Sequence, residues 1–323
     1  MGFYQGKVKG RRKAPYPNSI LDRKAFTEAL EDAGISVKRE HIDSFYKALH
    51  RQHYPPLAEF VRNYHANERK EYSVLRPQLQ EERNQKGEEE ADISNLKKKT
   101  AYRKTRNKMT LPRALLDYVA KTPDFIHTTS RVKERLTSND RSTTKLIVEL
   151  YDGFVVESVL MRYQQKGAGR VTACLSSQAG CAMGCTFCAT GTMGLSGNLT
   201  SGEILEQLVH ADRVLLEESL TLQESKKKDD NKGGKAINTS KKRANETISV
   251  RNVVMMGMGE PLDNFTNVVD ACRTMIDRSR WNLAHGRVTV STVGITSKIR
   301  RLTSELPEVS LALSLHRSEE HTS

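Results

Sequence analysis

The chain has 323 residues, 37% of them hydrophobic, with a formal net charge of +13. That charge points to a polyanionic partner, RNA or DNA ahead of membrane lipid, because the basic residues form no evident amphipathic face. No apolar run reaches signal-peptide or membrane-span length, so neither a disulfide-stapled secreted scaffold nor a membrane-spanning helix is expected, and the five cysteines read as a reduced inventory.

A chain of this size makes two domains, or one large α/β domain with an appendage. Residues 1–20 carry Lys7, Lys9, Arg11, Arg12 and Lys13 and no acidic residue, and read as a flexible basic arm, with an organelle-targeting peptide as the alternative. In 21–76, Leu21, Phe26, Leu30 and Ala33, then Ile42, Phe45, Tyr46 and Leu49, then Leu57, Phe60 and Val61 recur mostly at helical spacing. Gly34 and the pair Pro55 and Pro56 divide these runs, so a small helical accessory domain is expected. Residues 77–110 offer few apolar side chains and read as a charged linker. Residues 111–163 form a lead-in: a helix over 111–120, then two β-rich runs in 145–163 joined by the hairpin signal Asp152-Gly153.

A third β run, 170–177, enters the segment GCAMGCTFCATG, and a helix is expected from Ser201 to about Leu220. Residues 225–243 read as a disordered basic insertion. Beyond it, strands at 250–257, 287–292 and 309–315 alternate with helices around Val268–Ile276 and Ile299–Leu302. Apolar strands alternating with helices specify a parallel sheet with right-handed crossovers, whose chemistry sits at the carboxyl ends of the strands. The cysteine segment, GMGEP at 257–261, the end of RVTVST and the end of LALSLH all fall at such ends.

Cys181, Cys185 and Cys188 place three thiolates on one short loop, among Gly180, Gly184, Gly191 and Phe187. Iron–sulfur clusters usually take four cysteine ligands; three leave one iron open to a small molecule. A structural zinc site is the alternative, although it would want a fourth Cys or His nearby.

The strings SSQAGCAMGCTFCATG, VVMMGMGEPLDN, RVTVSTVGI and LALSLH closely resemble segments of the dual-specificity RNA methyltransferases, radical S-adenosylmethionine enzymes that methylate carbon 2 of adenine in ribosomal and transfer RNA. The resemblance implies a radical SAM partial (β/α) barrel over 164–316, preceded by the small helical domain. It implies a 4Fe–4S cluster on Cys181, Cys185 and Cys188, with S-adenosylmethionine chelating the open iron. Gly259, Glu260, Ser291, Ser314, Leu315 and His316 match cosubstrate-binding positions. Glu157 aligns with the acidic residue assigned as proton acceptor, and Cys174 with a cysteine that helps resolve a covalent RNA adduct. Cys272 matches no family function and reads as core. The implied reaction runs through a methylated cysteine, since carbon 2 of adenine is not nucleophilic and polar methyl transfer does not reach it.

The implied partners are RNA and a flavodoxin- or ferredoxin-type electron donor, with a cytoplasmic monomer expected. A relative that methylates carbon 8, and a zinc-stabilised RNA-binding protein without catalysis, stay open as alternatives. The family's methyl-accepting cysteine lies further downstream than this sequence runs, and the strand–helix units number about four where the family barrel has six. RSEEHTS at 317–323 leaves the family pattern and reads as a non-native tail. The 323 residues are therefore expected to be an inactive fragment of an enzyme.

Overall fold

A computed structural model describes Arg12 and residues 15–67, 111–163, 170–230 and 249–315. The chain divides into two compact units, one of residues 23–127 and one of residues 1–22 with 128–323.

In the first unit, helices α1 (Arg23–Asp32) and α2 (Arg39–Arg51), helical residues 57–67 and α3 (Arg113–Lys121) enclose an aromatic core. Phe26 stacks on Phe45 at 5.4 Å between ring centres, and Phe60 meets Phe45 edge-on at the same separation. All three rings are fully buried, and such pairs add about 1 kcal/mol each beyond their area. Gly34 ends α1 in the left-handed region (φ 70°): its N–H donates to Glu31 O and that of Ile35 to Leu30 O, closing a Schellman cap.

The second unit is built on a seven-stranded sheet. Its strands are β1 (Arg131–Thr137), β2 (Thr143–Glu149), β3 (Val155–Tyr163), β4 (Arg170–Cys174), β7 (Val250–Met255), β8 (Val288–Thr292) and β9 (Ser310–Leu313). A separate hairpin pairs β5 (Gln178–Gly180) with β6 (Leu195–Asn198). The sheet order is β9-β8-β7-β4-β3-β2-β1, parallel from β9 to β4 and antiparallel from β4 to β1. Helices α4 (Ser201–Asp230), α5 (Phe265–Ile276) and α6 (Thr296–Glu305) connect the parallel strands, so the α/β architecture with its βαβ units is as expected.

The pleat gives the sheet two unlike faces. Val156, Ser158 and Leu160 of β3, Ala173 of β4, Val253 and Met255 of β7, and Val288 and Val290 of β8 are buried on one face. There α4 contributes Ile204, Leu205, Leu208 and Val209, and α5 contributes Val268, Val269, Cys272 and Met275, all buried. Fully burying one such aliphatic side chain stabilises by roughly 1.5–3 kcal/mol. A polar latch sits among them. Ser158 Oγ and Ser176 N–H both donate to Gln207 Oε1, at 2.7 and 2.9 Å, and Gln207 Nε2 donates to Ser176 O at 2.9 Å.

Several elements differ from the sequence reading. Helix α4 runs on through Asp230, taking in the start of the segment expected to be disordered, because 221–230 holds good helix formers and neither glycine nor proline. Residues 231–243, the rest of that segment, lie outside the described residues, as do linker residues 77–110, His316 and the tail 317–323. Strand β1 was not expected. Nearly every side chain on it is exposed, and Arg131 and Lys133 pair with Glu149 while Arg135 pairs with Glu217 and Glu218, a charged edge of the kind that discourages further strand pairing. No helix among the described residues is long and apolar enough to cross a membrane.

Candidate active site

Strand β4 ends at Cys174, and the chain then turns through Ser176 and Ser177 into the β5–β6 hairpin, whose tip is the cysteine loop. Two glycines let that loop close. A Cβ on Gly180 (φ 78°) would lie 1.8 Å from Gly194 O, the oxygen that accepts the Cys181 N–H at 3.0 Å. A Cβ on Gly191 would lie within 2.8 Å of the backbone of Cys185. Inside the loop Cys188 N–H donates to Cys185 O and Thr192 N–H to Cys188 O.

The three thiols are free and partly exposed. The Cys181 thiol is pushed up by burial and by the neighbouring Cys185, Cys188 and Glu260, against a lowering N–H from Met183. Cys181 thus lies within electrostatic reach of Cys185, Cys188 and Glu260. Among the described residues no three donors are yet drawn together closely enough to grip a metal ion. The donor chemistry nevertheless fits an iron–sulfur cluster, with three thiols from one self-folded loop and none of them in a disulfide.

GMGEP follows β7 and packs against the base of the hairpin. A Cβ on Gly257 would meet Leu175 C and Ser176 Oγ at 2.7 Å, and one on Gly259 (φ 96°) would meet Gln178 Cβ at 2.5 Å, so both positions require glycine. Glu260 is 3% exposed. Its Oε1 accepts the N–H of Leu262 and its Oε2 that of Val293, both at 2.9 Å, so the loops after β7 and β8 fix one carboxylate between them. Its own N–H donates to Gln178 Oε1 at 2.9 Å. Gln178 Nε2 donates in turn to Asn198 Oδ1 and Asp263 Oδ2, at 2.7 and 2.8 Å. Asn264 Nδ2 donates to Ser177 O and Leu199 O, tying both sides of the hairpin to α5.

At the ends of β8 and β9 the hydroxyls of Ser291 and Ser314 lie 2.8 Å apart. Leu315 is largely exposed. Register decides which of these residues share a face. Cys174 lies opposite Val159 of β3 and Val254 of β7; Val254 pairs with Thr289, and Ser291 with Ala312. Glu157, two residues from Val159, and Ser291, two from Thr289, therefore look out from the same face as Cys174. This is the face opposite the one that Ser158 turns toward α4. Glu157 is paired with Lys145 Nζ at 3.2 Å, and its carbonyl accepts Ser176 Oγ at 2.7 Å, so it stands level with the carboxyl end of β4. Burial pushes the Cys174 thiol up to about 11, partly offset by an N–H from Met256.

The structure thus brings Glu157, Cys174, Gly259, Glu260, Ser291 and Ser314 to the rim and inner face beside the cysteine loop. Gln178 and Asn198, which join that loop to Glu260, were not singled out by sequence; the only signal for Gln178 was its place in SSQAGC, and Asn198 lay outside every motif string.

No family model matches the chain. Among curated proteins, the probable dual-specificity RNA methyltransferase RlmN 2 of Opitutus terrae is 42% identical over 194 residues, 59% of this chain and 44% of that protein. The probable dual-specificity RNA methyltransferase RlmN of Moorella thermoacetica is 43% identical over 209 residues, 64% of this chain and 50% of that protein. The ribosomal RNA large subunit methyltransferase N of Nitrosopumilus maritimus is 37% identical over 185 residues, 56% of this chain and 45% of that protein. Of solved structures, a radical SAM methyltransferase from Sphaerobacter thermophilus matches with a TM-score of 0.57 at 27% identity, over 92% of this chain and 63% of that one. The family resemblance read from the motifs is borne out. The chain spans about half the length of the curated relatives it matches.

Proposed function

We propose that this chain is the cofactor-binding part of a radical S-adenosylmethionine RNA methyltransferase that acts on carbon 2 of adenine, in ribosomal RNA and secondarily in transfer RNA. The observation that carries the reading is the gathering of the cysteine loop, Glu260 and the Ser291–Ser314 pair at the carboxyl ends of four parallel strands, with Glu260 bonded to Gln178 of the hairpin and to Val293 beyond Ser291.

Cys181, Cys185 and Cys188 hold a 4Fe–4S cluster, which when bound supplies the electron that cleaves S-adenosylmethionine. Glu260 keeps lone pairs beyond the two that accept backbone N–H groups, and these take the ammonium of the cosubstrate's methionine part. Because the carboxylate is already fixed, no ordering of a mobile side chain opposes that contact. The Ser291 and Ser314 hydroxyls orient the same ligand. Glu157 receives the ring proton at a carboxylate oxygen, with Lys145 holding its orientation. Cys174, its thiol pushed up to about 11, enters as a neutral thiol that must lose its proton to a base before it attacks.

Of the five cysteines, three are assigned to the cluster, Cys174 to adduct resolution, and Cys272 is sealed inside α5. The cysteine that carries the methyl group is then none of these five, and the 323 residues alone bind cosubstrate without turnover. RNA is the substrate, and a flavodoxin- or ferredoxin-type protein of the cytoplasm is the reductant. The test is anaerobic reconstitution, followed by incubation with S-adenosylmethionine, dithionite and ribosomal RNA and mass spectrometry of the nucleosides. The reading expects about four irons per chain, cosubstrate binding that Glu260→Ala abolishes, and no methylated adenosine. One tightly held zinc without iron would replace it with a binding module, and 2-methyladenosine formed by these residues alone would overturn the assignment of the cysteines.

A further inference from the structure

Arg12 stands in a segment read from sequence as a flexible basic arm, yet its side chain is 5% exposed and bonded through all three guanidinium nitrogens. Its Nε donates to Asp152 Oδ2 at 3.0 Å, in the turn between β2 and β3. Its Nη1 donates to Asn198 O at 2.8 Å and to Glu203 Oε2 at 3.0 Å, and its Nη2 donates to Glu203 Oε1. The backbone joins in, with Arg12 N–H donating to Ser196 O at 3.1 Å. At Gly197 any Cβ would lie 3.0 Å from Arg12 Cβ, so the strand makes room for this residue.

The carboxylate it meets is itself spoken for. Glu203 closes a capping box at the start of α4, its Oε2 accepting Thr200 N–H at 2.9 Å while Thr200 Oγ1 accepts Glu203 N–H at 3.2 Å. Its side chain is fully buried, and a buried carboxylate without a cation is strongly destabilising. Burial acts to lower the Arg12 pKa, but Glu203 and Asp152 outweigh it and raise the value. A guanidinium fork engaged on both edges by carboxylates has no face to give a phosphate.

We infer that Arg12 is a positioning residue for the cysteine loop: it pins strand β6, the exit of that loop, to α4 and to the β2–β3 turn. Asn198, whose carbonyl Arg12 holds, passes the constraint through its side chain to Gln178, and Gln178 receives the Glu260 N–H. Two side chains thus separate Arg12 from the carboxylate at the centre of the site. The consequence for the cluster rests on the function proposed above; the pin itself does not.

The test compares the 323-residue chain with Arg12→Met and with the triple variant Arg12→Met, Asp152→Asn, Glu203→Gln, which leaves no uncompensated buried charge. Amide hydrogen exchange is read at Leu199, bonded to Ser177 O, and Cys181, bonded to Gly194 O, with Val253 on the sheet as internal reference. In every variant that folds by circular dichroism, exchange at Leu199 and Cys181 rises at least about tenfold while Val253 is unchanged, the scale of one lost charge-assisted hydrogen bond. Iron retained per chain after anaerobic loading falls in the same variants. Wild-type exchange at both amides in a folded variant overturns the pin. Faster exchange in variants of a chain that takes up no iron even as wild type leaves the pin standing and removes the cluster reading instead.

Discussion

The two faces of the seven-stranded sheet are made by the same strands and differ in almost everything else. The face toward α4 and α5 is apolar, closed and latched by Gln207; the opposite face carries Glu157, Cys174 and Thr289, half-buried among Val159 and Val254, with Ser291 buried at the strand end. Period-two alternation along each strand makes this division. Stability and chemistry are thereby placed on side chains one residue apart, and substitutions at neighbouring positions should have unlike consequences.

The largest effect belongs to the closed face. Leu205→Ala, at a fully buried position of α4, should cost about 2–5 kcal/mol in denaturant unfolding. Ser291→Ala on the open face should cost less than about 1 kcal/mol, since it removes one hydroxyl partner of Ser314, and should weaken binding of S-adenosylmethionine instead. Equal stability losses at the two positions would break the comparison.

A titratable group behind the closed face sharpens it. Asp212 is half-buried, accepts Trp281 Nε1–H and Val250 N–H, and is pushed up to about 6 by desolvation. Because the folded value is raised above the unfolded 3.8, this group's stabilising contribution is fully present below about pH 4 and is lost as pH rises to about 6. The loss is on the order of 3 kcal/mol. Thermal unfolding across that window should show the decline in the wild-type chain and not in Asp212→Asn; parallel curves would refute the assignment.

A smaller effect tests how open the open face is. With its thiol pushed up to about 11, Cys174 should react with iodoacetamide at pH 8 about two orders of magnitude more slowly than an ordinary thiol, despite facing the rim. Labelling at an ordinary rate would show that the face is wetter than its packing indicates.

Much of this organisation was legible in the sequence because periodicity writes it there. The helical spacing of Phe26, Phe45 and Phe60 and the apolar runs of β7, β8 and β9 each became the element they specified. The β5–β6 hairpin was not, since Gln178-Ala179-Gly180 and Leu195-Ser196-Gly197-Asn198 show no apolar alternation and pair across a close approach of Gly194 that Gly180 permits. Strand β1 escaped because an exposed edge has no buried face to mark it. Within the site, spacing and resemblance exposed the cysteines and Glu260. Gln178 and Arg12 stayed hidden, because their partners lie 82 and 186 residues away, and neither composition nor period records a contact at such separations.

The central claim is that three loop thiols hold a cluster with one coordination position left to the cosubstrate. Electron paramagnetic resonance of the dithionite-reduced, anaerobically reconstituted chain, recorded with and without S-adenosylmethionine, tests it directly. The account predicts a 4Fe–4S signal that shifts on addition of the ligand and is lost in Cys185→Ala. A reduced protein without that signal, or one whose spectrum ignores the ligand, would contradict it.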